Sequence, residues 1–323
     1  MISNKIVFNT WSGAYFHPGG GEVQLDQTKR ALEKQGYQVE LFNQWNPQVD
    51  ACLFHQFSTQ LGVKFVIDGY RERNAKIAVS PILWAEFDRG GFYYEMLHQL
   101  LSSADILFTN SDAESSKIAK NFDLSLNVFH KTRNAISEDF FSLGDEGIFR
   151  EKFGIEGDFI LTIGNIDRRK NTELLVSACQ ELNLPLVVLG AVRDQEYFSQ
   201  FSDVYSKASF LGAIFDKKMI KSALRACSVF ALPSLCETPG IAALEAASQG
   251  AKVVVTQEGA APEYLNGHAW FVDPRSLEDL VAKLRMAMSG VAQANQISYI
   301  KENYTWGMAA QDVISGYRRV LAD

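Results

Sequence analysis

Short apolar runs alternate along the chain with amphipathic stretches, and this alternation predicts strands alternating with helices. The runs end at residues that interrupt regular structure, such as glycine, proline, serine and asparagine. The predicted strands are 5–8, 38–42, 51–55, 76–80, 105–109, 127–130, 159–164, 184–190, 209–211, 229–232 and 252–256. The predicted helices are 22–35, about 60–70, 93–101, 112–120, 173–182, 195–207, 216–226, 240–249, 276–288 and 304–321. The order predicts an α/β fold with two Rossmann-like, doubly wound domains.

The pattern also suggests where the domains meet. We expect a first domain over 1–145, a second over 146–303 and a closing helix over 304–323. The stretch 139–157 is charged and contains glycine, so it is the predicted linker. In the closing helix, apolar residues recur every three to four positions, as a helix packed on one face requires. These residues are Trp306, Ala309, Val313, Tyr317 and Val320.

Composition narrows the class of protein. With 323 residues, 47% hydrophobic and 21% charged, the chain suits a soluble globular protein of two domains. The net charge of −7 argues against nucleic acid as a partner. The four cysteines form no CxxC pair, so we expect neither disulfides nor a metal site. No apolar run approaches the ~20 residues of a membrane span. We therefore expect a cytoplasmic protein, with peripheral contact at the inner face of the membrane left open.

Candidate chemistry concentrates between residues 229 and 256. A predicted strand leads into a turn that carries Glu237, and the following helix carries Glu245. Ligands of open α/β sheets bind at the carboxyl ends of the strands, where a helix N-terminus offers free N–H groups to phosphate. Gly240 allows a phosphate to approach that backbone closely. The pattern favours a site in which two carboxylates bind hydroxyl groups on either side of a diphosphate. A nucleotide sugar has this arrangement of groups. The alternative is that Glu245 is simply solvated.

The same stretch resembles a known signature, PS-x2-E-x2-G-[IL]-x3-E-A. It is formed here by Pro233, Ser234, Glu237, Gly240, Ile241, Glu245 and Ala246. The chain resembles the retaining glycosyltransferases of family 4 at this point, where they carry the EX7E motif. Segments similar to the family also occur at 110–114, 259–263, 271–274 and in the closing helix.

The resemblance implies a GT-B fold, in which two Rossmann-like domains face each other across a cleft. It implies transfer of a hexose from a nucleotide-diphosphate sugar to a hydroxyl of a glycan, lipid-linked or small-molecule acceptor, as in polysaccharide biosynthesis. The family uses cations and helix N-termini in place of a metal, so no metal or other cofactor is expected.

Residue roles follow from the same resemblance. The donor-binding residues that it implies are Gly20, Gly21, Asn165, Arg168, Lys170, Glu237, Thr238, Gly240, Ile241 and Glu245. Lys170 neutralises the leaving diphosphate, and Glu237 holds the sugar or stabilises its positive charge; these two are the catalytic candidates. Glu245 binds the ribose hydroxyls. The GGGE loop that contains Gly20 and Gly21 resembles the loop that reaches toward phosphate and acceptor.

The chain departs from the family at two places. Asn165 stands where the family usually has an arginine, and Arg168 or Arg169 could supply the missing charge. Thr238–Pro239 replaces the usual Gly/Phe pair, which can change the sugar that fits. In the first half, a polar and aromatic cluster is a candidate acceptor site. It consists of Trp84, Glu86, Asp88 and Arg89.

Three alternatives stay open. A nucleotide-sugar epimerase of the same fold requires acidic and basic groups from the first domain; His55 and His98 are expected to be structural. Asn165 suggests a catalytically weak GT-B binding protein. An NAD-dependent oxidoreductase is disfavoured, because Gly19-x-Gly21 is followed by Gln24 where the dinucleotide fingerprint needs glycine.

Overall fold

In the computed structural model, two parallel sheets of six strands form the framework of the chain. The structure describes residues 5–16, 19–60, 62–83, 90–238, 240–292 and 294–322, apart from the side chain of Tyr15. The chain divides into two compact units. The first comprises Met1–Asn134 with Trp306–Asp323, and the second comprises Ala135–Thr305.

The described strands and helices of the first unit follow a simple alternation. The strands are β1 (Lys5–Asn9), β2 (Gln38–Leu41), β3 (Leu53–Phe57), β4 (Lys76–Ser80), β5 (Ile106–Thr109) and β6 (Phe129–Lys131). The helices are α1 (Gly20–Lys34), α2 (Val63–Arg71), α3 (Phe92–Ser102) and α4 (Asp112–Phe122). The sheet order is β2-β1-β3-β4-β5-β6. Ser111 caps α4 as its sequence position predicts, because its hydroxyl accepts a hydrogen bond from the Glu114 N–H.

The second unit has the same plan. Its strands are β7 (Ile160–Ile163), β8 (Leu186–Leu189), β9 (Ala208–Phe210), β10 (Val229–Leu232), β11 (Val253–Thr256) and β12 (Trp270–Val272). Its helices are α5 (Glu146–Phe153), α6 (Thr172–Glu181), α7 (Gln195–Ser199), α8 (Lys217–Ala226), α9 (Ile241–Ser248), α10 (Ala261–Leu265), α11 (Leu277–Ser289) and α12 (Gln296–Asn303). The last helix of the chain, α13 (Trp306–Leu321), belongs to the first unit.

The second sheet has the strand order β12-β11-β10-β7-β8-β9. This is the Rossmann order, in which the direction of winding reverses between the first and fourth strands, here β7 and β10. Alternate residues of β10 pack into opposite cores: Val229 and Ala231 on one face, Phe230 and Leu232 on the other. A strand buried on both faces reads as a continuous apolar run, so the sequence identified β10 correctly.

Residues 139–157 are not the linker that their charge predicted. They include most of a 3₁₀ turn (Glu138–Phe141) and all of α5, and both elements belong to the second unit. Phe140 and Phe149 lie in its core, and the Arg150 guanidinium donates to the Ala226 carbonyl at 2.7 Å. The charged residues of this segment lie on its solvent-exposed side. Because they dominate its composition, the composition did not indicate that its aromatic residues are buried.

Smaller differences concern element ends. The helix predicted over 195–207 ends at Ser199, because the chain then turns so that the Tyr205 hydroxyl donates to the Leu184 carbonyl.

All five apolar residues predicted to face inward on the closing helix are buried in α13. Tyr317 among them contacts His55, whose Nδ1 lies 2.6 Å from its hydroxyl. Burial lowers the pKa of His55 to about 3, so its ring is a neutral part of the core. None of the described helices is long and apolar enough to cross a membrane.

Candidate functional site

The site lies where β7 and β10 are neighbours, at the point where the winding of the second sheet reverses. The loop after β7 and the loop after β10 are joined by direct hydrogen bonds. The Leu235 N–H donates to the Arg169 carbonyl at 2.8 Å, and the Asn171 amide donates to the Pro233 carbonyl at 3.0 Å. Because these hydrogen bonds join the two loops, the polar side chains that the loops carry have fixed relative positions.

Glycine is required where the loop after β10 meets the loop after β11. Glu237 forms a parallel bridge with Gly259, and the Ala260 N–H donates to the Glu237 carbonyl at 2.8 Å. Gly259 has φ +99°, and a Cβ placed there would lie 2.2 Å from the Glu237 carbonyl oxygen. The backbone of Glu237 is therefore held in place by a contact that only glycine permits.

We expect Gly259→Ala to destabilise the protein by more than Gly267→Ala, its matched control. Gly267 also has positive φ, at +78°, but a Cβ there meets nothing within 4 Å. The control carries only the left-handed strain of roughly 1–2 kcal/mol, whereas Gly259→Ala adds a clash with Glu237. Urea unfolding of both variants measures the difference; equal losses of stability would contradict the proposed contact.

The carboxylate of Glu237 is the centre of the site. It is 4% exposed, and its Oε1 accepts from Lys170 Nζ at 2.6 Å and from the Ser234 hydroxyl at 2.5 Å. The Arg169 guanidinium lies 3.9 Å from the same oxygen. Burial by itself would raise the pKa of Glu237, but the charges of Lys170 and Arg169 and the two hydrogen bonds hold that pKa below its ordinary value. Glu237 is thus an ionised, buried carboxylate, and the contacts described for it all involve Oε1.

Local sequence explains the placement of Lys170. Asp167 caps the short 3₁₀ turn Arg168–Lys170, its Oδ1 accepting from the Lys170 N–H at 2.9 Å. Asn171 follows in the left-handed conformation, with φ +56°, and starts α6. The Lys170 side chain runs past Gly164, where a Cβ would lie 3.2 Å from Lys170 Cε. The small residue at the end of β7 therefore leaves room for the lysine.

The two arginines of this turn differ in their contacts. Arg168 pairs with Asp194 at 3.1 Å and lies over the Tyr197 ring, 5.5 Å from its centre. Arg169, which is not among the predicted donor-binding residues, is the one that lies near Glu237. Asn165 is partly buried beside the glycine that ends β7, and among the described residues its side chain has no hydrogen-bond partner. The donor-binding roles of Asn165 and Arg168 stay predictions.

The first turn of α9 borders the same loop. Gly240 precedes the helix with φ +85°, and the first N–H groups of an α-helix, beginning with Ile241, have no partner within it. Glu245 lies on this helix, partly buried and without a hydrogen bond to its carboxyl group among the described residues. Burial raises the pKa of Glu245 to about 8, and the charge of Lys217 offsets only part of this effect. Thr238 is partly buried, whereas Pro239 lies outside the described residues.

The structure thus brings together Lys170, Glu237 and Arg169. It places Gly20 and Gly21 in the first unit, inside the first turn of α1 and not in a loop before it. The helix begins two residues earlier than predicted because the Glu22 carboxylate accepts from the Gly19 N–H at 2.7 Å. The acceptor cluster predicted at Trp84, Glu86, Asp88 and Arg89 lies outside the described residues. Among the residues that are described, no group of three or more His, Cys, Asp or Glu could hold a metal ion.

Residues 145–304 match the model of the family "Glycosyl transferases group 1". The serotype-specific mannosyltransferase WbdA of Escherichia coli is 24% identical to the chain over 251 residues, which are 71% of this chain and 30% of WbdA. Mannosylfructose-phosphate synthase of Agrobacterium fabrum is 24% identical over 258 residues, or 69% of this chain and 55% of the synthase. The chain therefore matches only about a third to a half of the length of these relatives.

Solved structures match almost the whole chain. Anabaena HepE, crystallised with UDP and glucose, superposes with a TM-score of 0.81 at 17% identity, over 98% of this chain and 99% of that one. Sucrose-phosphate synthase from Thermosynechococcus elongatus gives a TM-score of 0.80 at 15% identity, with the same coverage. The predicted α/β architecture is confirmed by the two parallel sheets and by these likenesses. Over its residues 145–304 the chain belongs to the group 1 glycosyltransferases, the family 4 type, and the chain has the GT-B fold.

Proposed function

We propose that the protein is a retaining, metal-independent glycosyltransferase that uses a nucleotide-diphosphate sugar. The observation that carries this proposal is the ion pair between partly buried Lys170 and buried Glu237 at the winding reversal of the second sheet, next to the start of α9. A cation, a helix N-terminus and two carboxylates are what a diphosphate flanked by two sugars requires. The relatives named as mannosyltransferases and the HepE structure with UDP and glucose support a sugar nucleotide as donor.

The roles of the residues follow from their charges. Breaking the anomeric bond places negative charge on the departing diphosphate, which Lys170, Arg169 and the first N–H groups of α9 can stabilise. Lys170 then has to share its ammonium group between Glu237 and the diphosphate. Oε1 of Glu237 is already occupied by hydrogen bonds, so we assign Oε2 to the donor sugar, where it holds a hydroxyl or faces the developing positive charge.

We assign Glu245 to the ribose of the donor nucleotide. Its carboxyl group has no partner among the described residues and is partly buried, so two vicinal hydroxyls can satisfy both of its oxygens. We propose a hydroxyl of a carbohydrate or lipid-linked molecule as the acceptor, since the E. coli relative is a serotype-specific mannosyltransferase. The second candidate function is a GT-B protein that binds the donor without efficient turnover, which the uncharged Asn165 favours.

A thermal-shift panel of UDP, GDP, ADP and their sugar conjugates, with and without EDTA, tests the donor site. We expect one nucleotide to stabilise the protein by ~2.7 kcal/mol at about 100 times its dissociation constant. The shift should be insensitive to EDTA, since Lys170, Arg169 and the start of α9 take the place of a metal. A shift that EDTA abolishes would contradict metal independence, and no response to any nucleotide would contradict the donor site.

Turnover of the responding sugar conjugate separates the two candidate functions. Nucleotide release that depends on an added glycan or lipid-linked acceptor supports the transferase. Tight binding with no release, for all acceptors tried, supports the binding protein. The anomeric configuration of the product, read by NMR, tests retention.

A further inference from the structure

A cavity of about 260 Å³ lies in the first unit, apart from the residues assigned to donor binding. One of its walls is the helix α2, and the other is the chain that connects β2 to β3. Its lining is largely apolar and includes Phe42, Val49 and Phe65. Its volume is near the lower limit of ligand pockets, which begin at roughly 300 Å³. The cavity therefore suits part of an acyl chain or a single ring.

Two of the lining side chains are unusually exposed for their type. Phe65 is 84% exposed and Val49 is 51% exposed. Tyr70, on the same helix as Phe65, is firmly packed, because its ring stacks on Phe54 with 4.7 Å between ring centres. An apolar ligand would remove Phe65 and Val49 from water without displacing packed residues, and this removal favours binding.

Unpaired polar atoms accompany the apolar lining. Tyr70 is only 4% exposed, and its buried hydroxyl lies beside the backbone of Gln48 without a well-formed hydrogen bond among the described residues. The side-chain oxygen of Gln48, a residue whose backbone lies near that hydroxyl, is also buried and unpaired. Buried polar atoms without partners are rare because each costs free energy. Of these two residues Tyr70 lines the cavity, so its hydroxyl is the one that the polar group of a ligand could pair with.

The charge beside the cavity is positive. Arg73 lines it, is exposed, and donates to the Gly69 carbonyl at 2.7 Å. In the described part of the chain it has no carboxylate partner, whereas neighbouring cations do: Lys64 pairs with Asp68 at 2.6 Å and Arg71 with Asp105 at 3.5 Å. The guanidinium of Arg73 thus keeps donors available for an anion.

We propose that this cavity binds a small amphipathic anion of the fatty-acid type. The apolar chain lies between Phe42, Val49 and Phe65, the anionic head faces Arg73, and the hydroxyl of Tyr70 supplies a hydrogen bond. This ligand is neither donor nor acceptor of the proposed transfer, so the site goes beyond the proposed function. The chemistry is shared by a free fatty acid and by the acyl chain of an anionic lipid.

Titration with decanoate, below its micellar concentration and followed by calorimetry on the whole protein, tests the site. Wild type should bind it saturably, and Gly69→Leu should weaken binding at least tenfold. A Cβ at Gly69 meets nothing within 4 Å, so leucine can enter the cavity without a clash. Leucine is also a better helix former than glycine, so the melting temperature of this variant should not fall. Unaltered decanoate binding in Gly69→Leu would overturn the proposal.

Further variants test the head group. Arg73→Gln should abolish the preference for decanoate over decanol, and Tyr70→Phe should weaken binding several-fold while the ring remains. Arg30→Gln, on an exposed α1 residue that pairs with Asp26, is the matched control and should bind as wild type. Vesicles of anionic phospholipid that bind wild type but not Gly69→Leu would identify a membrane lipid as the source. Vesicle binding that survives Gly69→Leu, without saturable decanoate binding, would refute the cavity.

Discussion

Lys170→Ala is expected to lower turnover of the nucleotide sugar by about 10²–10³-fold, because the variant lacks the cation placed to neutralise the departing diphosphate. Lys170→Met, which keeps most of the length without the charge, should lose as much. Nucleotide affinity should change less, since the start of α9 and Glu245 remain. Steady-state kinetics and calorimetric titration of both variants separate the two effects. Wild-type turnover in Lys170→Met would exclude the lysine from catalysis.

The same variant has a second expected result, in stability. Removing Lys170 leaves Glu237 buried beside only Arg169 and Ser234, which should cost about 3 kcal/mol at neutral pH. The pKa of Glu237 is lowered in the folded protein, so its stabilising effect is present above the ordinary pKa of glutamate and is lost as pH falls through the lowered value. The stability difference between wild type and Lys170→Ala should therefore shrink in acid, which urea unfolding at several pH values measures.

The affinity of wild type for its nucleotide sugar is expected to rise by roughly tenfold or more between about pH 6 and pH 8. The raised pKa of Glu245, about 8, keeps its carboxyl protonated in the free protein at neutral pH. Ribose hydroxyls that donate to the carboxylate favour its ionised form, so binding releases a proton below that pKa. The affinity for the nucleotide sugar should no longer rise with pH above about pH 8.

Glu245→Gln is the matched control for this prediction. It has nearly the same shape but no titrating group, so its affinity should be weaker and nearly independent of pH. A nucleotide sugar is the appropriate probe because its diphosphate does not titrate in this range. Wild type and Glu245→Gln with the same affinity at every pH would remove Glu245 from the ribose site.

The sequence predicted the strands best where they are buried on both faces. The limits of β4 and β10 agree with the predicted ranges to the residue, and both strands are almost entirely buried. The prediction for the segment that forms α5 was wrong for the opposite reason. Only one side of that helix is buried, through Phe149, and its charged residues dominate the composition.

The sequence indicated Lys170 and Glu237 as candidate residues but not the contact between them. Lys170 and Glu237 are 67 positions apart, and their pairing depends on β7 and β10 being neighbours in the sheet. The choice between Arg168 and Arg169 depends on the turn that Asp167 caps, which directs adjacent side chains differently. The raised pKa of Glu245 depends on burial by neighbours that its own helix does not reveal.

The membership of α13 in the first unit has a consequence for biosynthesis. Residues 135–305 lie between two parts of that unit in the chain, so the second unit is an insertion into the first. A ribosome therefore finishes the whole second unit before Tyr317 is available to cover His55. Since domains generally fold as units during synthesis, the unit that begins first is completed last. Until then the nascent part of the first unit exposes the apolar surface that α13 covers in the finished protein.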